Sequence, residues 1–108
     1  MAGILRGLGI ATLMLLPQAA QAQWTAEMTI TSAFVEDSDA VVIYTGSGGN
    51  NGCVANAWVF QAANEDRRGR MWATVLTALS LGKKVKLWFV GGCGSFGFHQ
   101  VSAIEIVS

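Results

Sequence analysis

The sequence predicts a small, mainly β domain with five strands and one helix, in the order strand, strand, strand, helix, strand, strand. Three observations support this prediction: short apolar segments that alternate like strands, one longer segment with helical periodicity, and turn-forming residues between them. The chain of 108 residues is too short for two ordinary domains, and its hydrophobic fraction of 52% is too high for a disordered protein.

Residues 1–22 have the pattern of a secretory signal peptide. A single positive charge near the start is followed by an apolar run from Leu8 to Leu16, a proline and small residues up to Ala22. The run is too short for a membrane span, which needs about 20 residues; a buried helix is the alternative. We therefore predict cleavage after Ala22, a single domain over residues 23–108 without a membrane span, and export to the periplasm or the medium.

The first half of this domain contains three predicted strands. Residues 24–34 alternate between apolar even positions and polar odd positions, as a half-buried strand does. An acidic turn ends this strand, and the next strand, over residues 40–45, is apolar on both faces. The glycines and asparagines of the loop 46–52 allow positive φ angles before a third strand over residues 57–61. The apolar even positions of the first strand are Trp24, Ala26, Met28, Ile30 and Phe34.

A helix is predicted to begin after Asn64 and to end before Gly82. Asn64 is a good N-cap followed by two acidic residues, and Gly82 suits the position after the last turn. Strands over residues 84–89 and 101–107 follow, joined by the glycine-rich loop 91–98. The apolar residues that recur at helical spacing are Met71, Trp72, Val75, Leu76 and Leu79.

This order of elements is that of the OB-fold, a five-stranded, partly open Greek-key barrel. A ferredoxin-like domain would need a helix after its first strand, where this sequence has only an acidic turn. A plain five-stranded sheet covered by one helix is the alternative architecture.

Cys53 and Cys93 are the two cysteines of the chain, and in an exported protein they meet an oxidising compartment. The sequence favours one disulfide over a free reactive thiol or a metal site, because there is no CxxC pair and His99 is the single histidine. On the chain-entropy model, a bridge of this span would stabilise the domain by about 4 kcal/mol. In the barrel, the disulfide would connect the start of the third strand to the loop between the fourth and fifth strands, at the open end of the barrel.

Charge and motifs argue against several classes of function. The 7 basic and 7 acidic residues balance, so the chain lacks the positive charge that nucleic-acid binding requires. The glycines of the loop 46–52 lead into a strand, whereas a phosphate-binding loop leads into a helix. The sequence has no GxSxG motif, and its acidic turn is expected to be solvated. We therefore predict a non-enzymatic protein without cofactor or metal. A small hydrolase that uses His99 is a further hypothesis, but the sequence favours a packing or hydrogen-bonding role for this histidine, next to Phe98, over that of a catalytic base.

Aromatic residues indicate where a ligand would bind. The 4 tryptophans are more than so small a barrel buries completely. Trp88 lies on the lysine-bearing face of its strand, where it could stack on a sugar ring or contact another subunit; the alternative is a rim residue packed by lysine stems. Phe96 and Phe98 in the glycine-rich loop raise the same choice. The candidate ligand-binding residues are Trp88, Lys86, Phe96, His99, Asn50 and Asn51.

Several features of the sequence occur together: the leader, a first strand that starts with Trp24, Cys53 before the segment AWVF, the helix MWATVLTALSLGKKVKL, the pair Gly92 and Cys93, and a closing IEI strand. In this combination the chain resembles the small exported OB-fold proteins related to bacterial toxin B subunits, especially the subtilase cytotoxin B-subunit type. The resemblance covers nearly all of residues 24–107. It implies a glycan-binding subunit in a homo-oligomeric ring, with helices lining the pore and sugars on the outer faces.

The preferred functional hypothesis is therefore an exported, non-enzymatic binding module, with carbohydrate as the ligand class. The alternative is a structural or protein-interaction protein of the bacterial envelope that needs no small ligand. The two hypotheses share the fold, the disulfide and the compartment, and they differ in what the surface contacts.

Overall fold

The structure is a computed structural model that describes residues 21–36, 40–61 and 64–108. The predicted signal peptide, except for its last two residues, and the centre of the predicted acidic turn lie outside the described residues. Within them the elements are β1 (Gln23–Trp24), β2 (Met28–Val35), β3 (Val41–Thr45), β4 (Val54–Phe60), α1 (Glu65–Leu81), β5 (Lys84–Cys93) and β6 (Phe98–Val107). A short 3₁₀ turn, Ser95–Gly97, joins β5 to β6.

Strands β2 to β6 form a closed five-stranded barrel. Four of the pairings are antiparallel: β2 with β3, β3 with β4, β5 with β6, and β2 with β5. The fifth pairing closes the barrel and is parallel, with Val54 of β4 opposite Phe98 of β6. The closure and the position of α1 between β4 and β5 confirm the predicted OB-like barrel over a plain sheet.

The interior of the barrel is an apolar core. On β5, the side chains of Val85, Leu87 and Phe89 are at most 1% exposed, as their alternation predicted. They pack together with Trp58 and Phe60 of β4, which point inward from the opposite wall. The period-two pattern therefore identified the inner face of β5 correctly.

Helix α1 covers the end of the barrel at which β4 ends and β5 begins. Its two ends are as predicted: the Asn64 side chain accepts a hydrogen bond from the backbone N–H of Arg67 at 2.9 Å, and Gly82 adopts a φ of 65°. The helix buries Met71, Val75 and Ala78.

The prediction was wrong for two leucines of α1. Leu76 and Leu79, which were expected to share the apolar face, are 40% and 37% exposed. The buried face of the helix continues from Val75 to Ala78 and not to Leu79, so the helix contacts the barrel there through a small side chain.

The first predicted strand is interrupted after Trp24. Four residues lead from Trp24 to Met28, whereas three lead from Val85 to Trp88 on the partner strand β5. The extra residue reverses the alternation, because successive side chains of a strand point to opposite faces. Trp24 therefore lies outside the barrel, where its ring meets that of Trp88 edge-on at 5.5 Å.

A second irregularity reverses the alternation again within β2. Between Ile30 and Ser32 the strand advances by two residues while β3 advances by one. As a result Ala33 packs against the core and Phe34 is 41% exposed, so the prediction that Phe34 faces the core was wrong.

Cys53 and Cys93 form the predicted disulfide, with Cα atoms 5.6 Å apart. The bond connects the loop before β4 to the end of β5, at the end of the barrel where β4 and β6 begin. Among the described residues, no helix has both the length and the apolar character needed to cross a membrane.

Replacing both cysteines by alanine should lower the free energy of unfolding by about 4 kcal/mol, because the bond closes a loop of 40 residues and restricts the unfolded chain. Urea denaturation with and without a reductant measures the difference. The reductant should destabilise the wild-type protein and leave the double variant unchanged. Equal midpoints for the oxidised wild type and the double variant would contradict this prediction.

Candidate functional site

The loop of residues 46–53 lies across the end of the barrel where β4 begins, and buried side chains hold it there. The indole N–H of Trp58 donates a hydrogen bond to the hydroxyl of Thr45 at 3.0 Å. That hydroxyl in turn donates to the backbone carbonyl of Ser47 at 2.8 Å. A tryptophan in the core is therefore connected to the loop through a single threonine.

His99 provides a second attachment for the same loop. Its ring is 0% exposed and lies against Trp58, with ring centroids 4.5 Å apart. Nδ1 is 2.9 Å from the carbonyl oxygen of Ala57, and the backbone N–H of Asn51 donates to Nε2 at 3.4 Å. Because a carbonyl only accepts and an amide N–H only donates, this geometry assigns the proton to Nδ1. His99 thus connects the loop to β4, and its ring does not face the solvent.

Gly49 allows the loop to approach these rings closely. A Cβ atom at this position would lie 2.8 Å from Cε1 of His99 and 2.8 Å from Trp58, closer than real side chains come. Gly52 in the same loop also has a positive φ, 84° against 74° for Gly49, but a Cβ there would meet nothing within 4 Å. The positive φ angles predicted from the loop composition are confirmed, and at Gly49 the absence of a side chain is needed as well.

Four aromatic rings form a row on the outer surface of the barrel, which we call the aromatic ladder. The distance between ring centroids is 6.1 Å from Phe34 to Tyr44, 5.8 Å from Tyr44 to Phe98 and 5.5 Å from Phe98 to Phe96. The two end rings, Phe34 and Phe96, are 41% and 55% exposed, and the two middle rings are partly buried. The ladder therefore presents ring surface to the solvent at both ends.

The aromatic ladder rests on a packed layer outside the barrel. Val42 and Val59 point away from the interior but are fully buried, and Tyr44 and Phe98 pack against them. Ser32 lies directly opposite Tyr44 on the neighbouring strand, so a hydroxyl is next to the rings. The ladder is thus a supported apolar surface with a polar group beside it.

Four of the six predicted ligand-binding residues, Phe96, His99, Asn50 and Asn51, lie at the end of the barrel where β4 and β6 begin. Phe96 is the most exposed ring of the aromatic ladder, with a φ of 64°. Asn50 and Asn51 are exposed on the loop that His99 holds. The disulfide connects this loop to the strand that precedes Phe96.

Trp88 and Lys86 lie elsewhere, on the outer face of β5. The ring of Trp88 is partly buried and contacts Trp24, whereas Lys86 is opposite Glu105 of β6. The structure therefore places the predicted residues on separate elements, and Phe96 is the one that belongs to the ladder.

Sequence reasoning missed Phe34 and Tyr44 as surface residues. Phe34 was assigned to the core because the irregularity in β2 cannot be read from alternation alone. For Tyr44 a signal was present: a strand that is apolar on both faces in a single-layer barrel requires a cover on its outer side.

The chain matches no protein-family model, and no curated protein is significantly similar to it. Among residues 21–36, 40–61 and 64–108, no three His, Cys, Asp or Glu side chains are grouped so that they could hold a metal ion. The surface chemistry of the barrel is therefore the basis for assigning a function.

Replacing Gly49 by alanine should lower the free energy of unfolding by about 1–3 kcal/mol more than replacing Gly52 by alanine. Both substitutions place a Cβ at a positive φ, but only the one at Gly49 also drives an atom into His99 and Trp58. Urea denaturation of the two variants gives the comparison. Equal losses would show that the loop does not approach the rings as described.

Proposed function

We propose that this protein is an exported, non-enzymatic binding module that binds carbohydrate on the aromatic ladder. The observation that carries the proposal is a row of four rings whose ends are exposed and whose base is a packed apolar layer. Sugar rings have apolar C–H faces that stack on aromatic side chains, while their hydroxyls need hydrogen-bonding groups at the edge. Ser32 supplies such a group next to Tyr44.

The position of the aromatic ladder in the fold supports the same proposal. OB-folds bind oligosaccharides or oligonucleotides on the face of their second and third strands, between the loops that join strands 1 and 2 and strands 4 and 5. The first strand of this barrel is β2, so the two loops are the one between β2 and β3, which follows Phe34, and the one between β5 and β6, which contains Phe96. Phe34 and Phe96 are the two ends of the aromatic ladder. This is an argument from the fold, and it concerns the location of the site rather than the ligand.

Charge favours sugar over nucleic acid as the ligand. The members of the aromatic ladder carry no positive charge, and the whole chain has 7 basic and 7 acidic residues. Affinity for a polyanion comes largely from clustered lysines and arginines. A neutral ligand with apolar faces fits this surface better.

Export is part of the proposal. The Cys53–Cys93 disulfide is of the kind that persists in an oxidising compartment, such as the periplasm or the exterior of the cell. The signal peptide predicted over residues 1–22 would deliver the chain there.

The resemblance to toxin B subunits adds a homo-oligomer to the proposal. Leu76, Leu79 and Leu81 of α1 are 40%, 37% and 65% exposed, and an assembly would cover apolar side chains of this size. Analytical sedimentation of the exported protein tests the proposed homo-oligomer. A strictly monomeric protein would contradict a ring.

A contact with another protein of the bacterial envelope is the alternative function. The observation that favours it is Val54, which is opposite Phe98 at the edge of the aromatic ladder and is 47% exposed. A protein partner would bury this valine together with the rings, whereas a sugar gains little from it.

A glycan array with the wild-type protein and the variants Phe96→Ala and Phe34→Ala tests the carbohydrate proposal. Both variants should bind the glycan that the wild-type protein prefers on the array about tenfold more weakly. Each variant loses a ring that stacks on the sugar, and such a contact contributes of the order of 1.4 kcal/mol to binding. Both rings are well exposed, so the substitutions should leave the fold intact.

Trp88→Ala is the matched control, since it removes an aromatic ring from β5 outside the aromatic ladder. It should leave glycan affinity unchanged. The absence of binding across diverse glycans would overturn the carbohydrate proposal. Loss of binding in Trp88→Ala with none in the two ladder variants would overturn the assignment of the site.

A further inference from the structure

A cleft of about 220 Å³ lies between α1 and β6, on residues that do not belong to the aromatic ladder. Its lining combines two cationic side chains, two hydroxyls and apolar groups. The members that matter for its chemistry are Arg67, Arg70, Met71, Thr74, Ser102 and Ile104. This combination would suit a ligand with one charged end and one apolar end.

Arg67 is held in place at one side of the cleft. Its guanidinium lies over the ring of Phe60, 5.7 Å from the centroid, and Phe60 itself is 3% exposed. Nη2 of Arg67 also donates to the backbone carbonyl of Ser102 at 3.4 Å. Ser102 has no direct partner on β5, because the pairing of β5 with β6 shifts register between Val101 and Ala103. Two contacts thus orient the guanidinium before any ligand arrives.

Arg70 brings a second positive charge to the same cleft from the next turn of α1. Among the described residues, no carboxylate forms an ion pair with Arg67 or Arg70; the ion pair found on this helix joins Arg68 to Glu65 at 3.8 Å. Guanidinium groups present a planar fork of N–H donors that matches a carboxylate or a phosphate. Two such groups on successive turns of α1, with no carboxylate partner among the residues that the structure describes, therefore favour an anion as the ligand.

The remainder of the cleft is suited to the body of a small molecule. Met71 and Ile104 line it with apolar side chains. The hydroxyl of Thr74 donates to the backbone carbonyl of Arg70 at 2.8 Å and so keeps its lone pairs for a ligand, and Ser102 adds a second hydroxyl.

We propose that this cleft binds a small organic anion, with a carboxylate or phosphate group between Arg67 and Arg70 and an apolar body against Met71 and Ile104. The site shares no residue with the aromatic ladder. The proposal therefore stands or falls independently of carbohydrate binding.

Titration of the ¹⁵N-labelled protein with three probes of similar shape tests the site. Benzoate and sodium phenyl phosphate carry the two candidate head groups, and benzamide is the neutral counterpart. At least one of the anions should produce saturable shifts of the amides of Arg70 and Thr74 on α1 and of Ala103 on β6, which line the cleft. Benzamide should produce no such shifts. The anion that binds more tightly shows whether the site prefers a carboxylate or a phosphate group.

Arg70→Gln should weaken binding of that anion by about tenfold or more, because it removes charge-assisted hydrogen bonds. Arg68→Gln is the matched control: it makes the same change in charge on the same helix at a residue outside the cleft. Arg67→Lys should also weaken binding, since it keeps the charge and loses the planar fork.

The proposal is overturned if neither anion gives saturable shifts at the cleft. It is also overturned if benzamide binds as well as the anions, or if Arg68→Gln reduces the affinity as much as Arg70→Gln.

Discussion

The buried imidazole of His99 connects the parts of the barrel on which the candidate carbohydrate site depends. The residue belongs to β6, its Nδ1 contacts the Ala57 carbonyl of β4, and its Nε2 accepts from the loop at Asn51. Its ring also lies against Trp58 and, at 5.4 Å, against Phe89 of β5. Because a polar atom buried without a partner costs free energy, both nitrogens need these contacts. The described residues contain no buried side-chain nitrogen or oxygen without a hydrogen-bond partner. If the loop moved away from the barrel, Nε2 of His99 would lose the backbone N–H of Asn51 from which it accepts.

The disulfide acts at the same place by covalent means. Cys93 is paired with His99 in the register of β5 and β6, so the bond to Cys53 and the imidazole hold adjacent positions. Phe98 precedes His99 in the chain and points to the outer surface, where its ring is one of the four rings of the aromatic ladder. Fixing this segment holds the ring of Phe98 in position against Tyr44 before a ligand binds. A surface ordered in advance loses less conformational entropy on binding, which benefits a shallow site with few polar contacts.

Local patterns in the sequence were sufficient for the order of elements, the helix caps and the pairing of the two cysteines. Asn64 and Gly82 marked the ends of α1 because capping depends on a few neighbouring residues. The outward positions of Trp24 and Phe34 were not predictable, because each depends on one extra residue in a pairing with a distant strand. His99 was a candidate ligand-binding residue, and its burial follows from the closure of β4 against β6, which no local pattern reveals. The arginine cleft was missed for the same reason, since it forms only where α1 crosses the register shift of β6.

The most direct test of this arrangement is a long-range ¹H–¹⁵N NMR spectrum of the imidazole at neutral pH. The chain has 1 histidine, so the signals need no assignment by mutation. The structure predicts a neutral ring with its proton on Nδ1, and slow exchange of that proton with water because the ring is buried between Ala57 and the loop. A ring protonated on Nε2, or one whose proton exchanges as fast as that of a solvent-exposed histidine, would contradict the role of His99 in holding the loop.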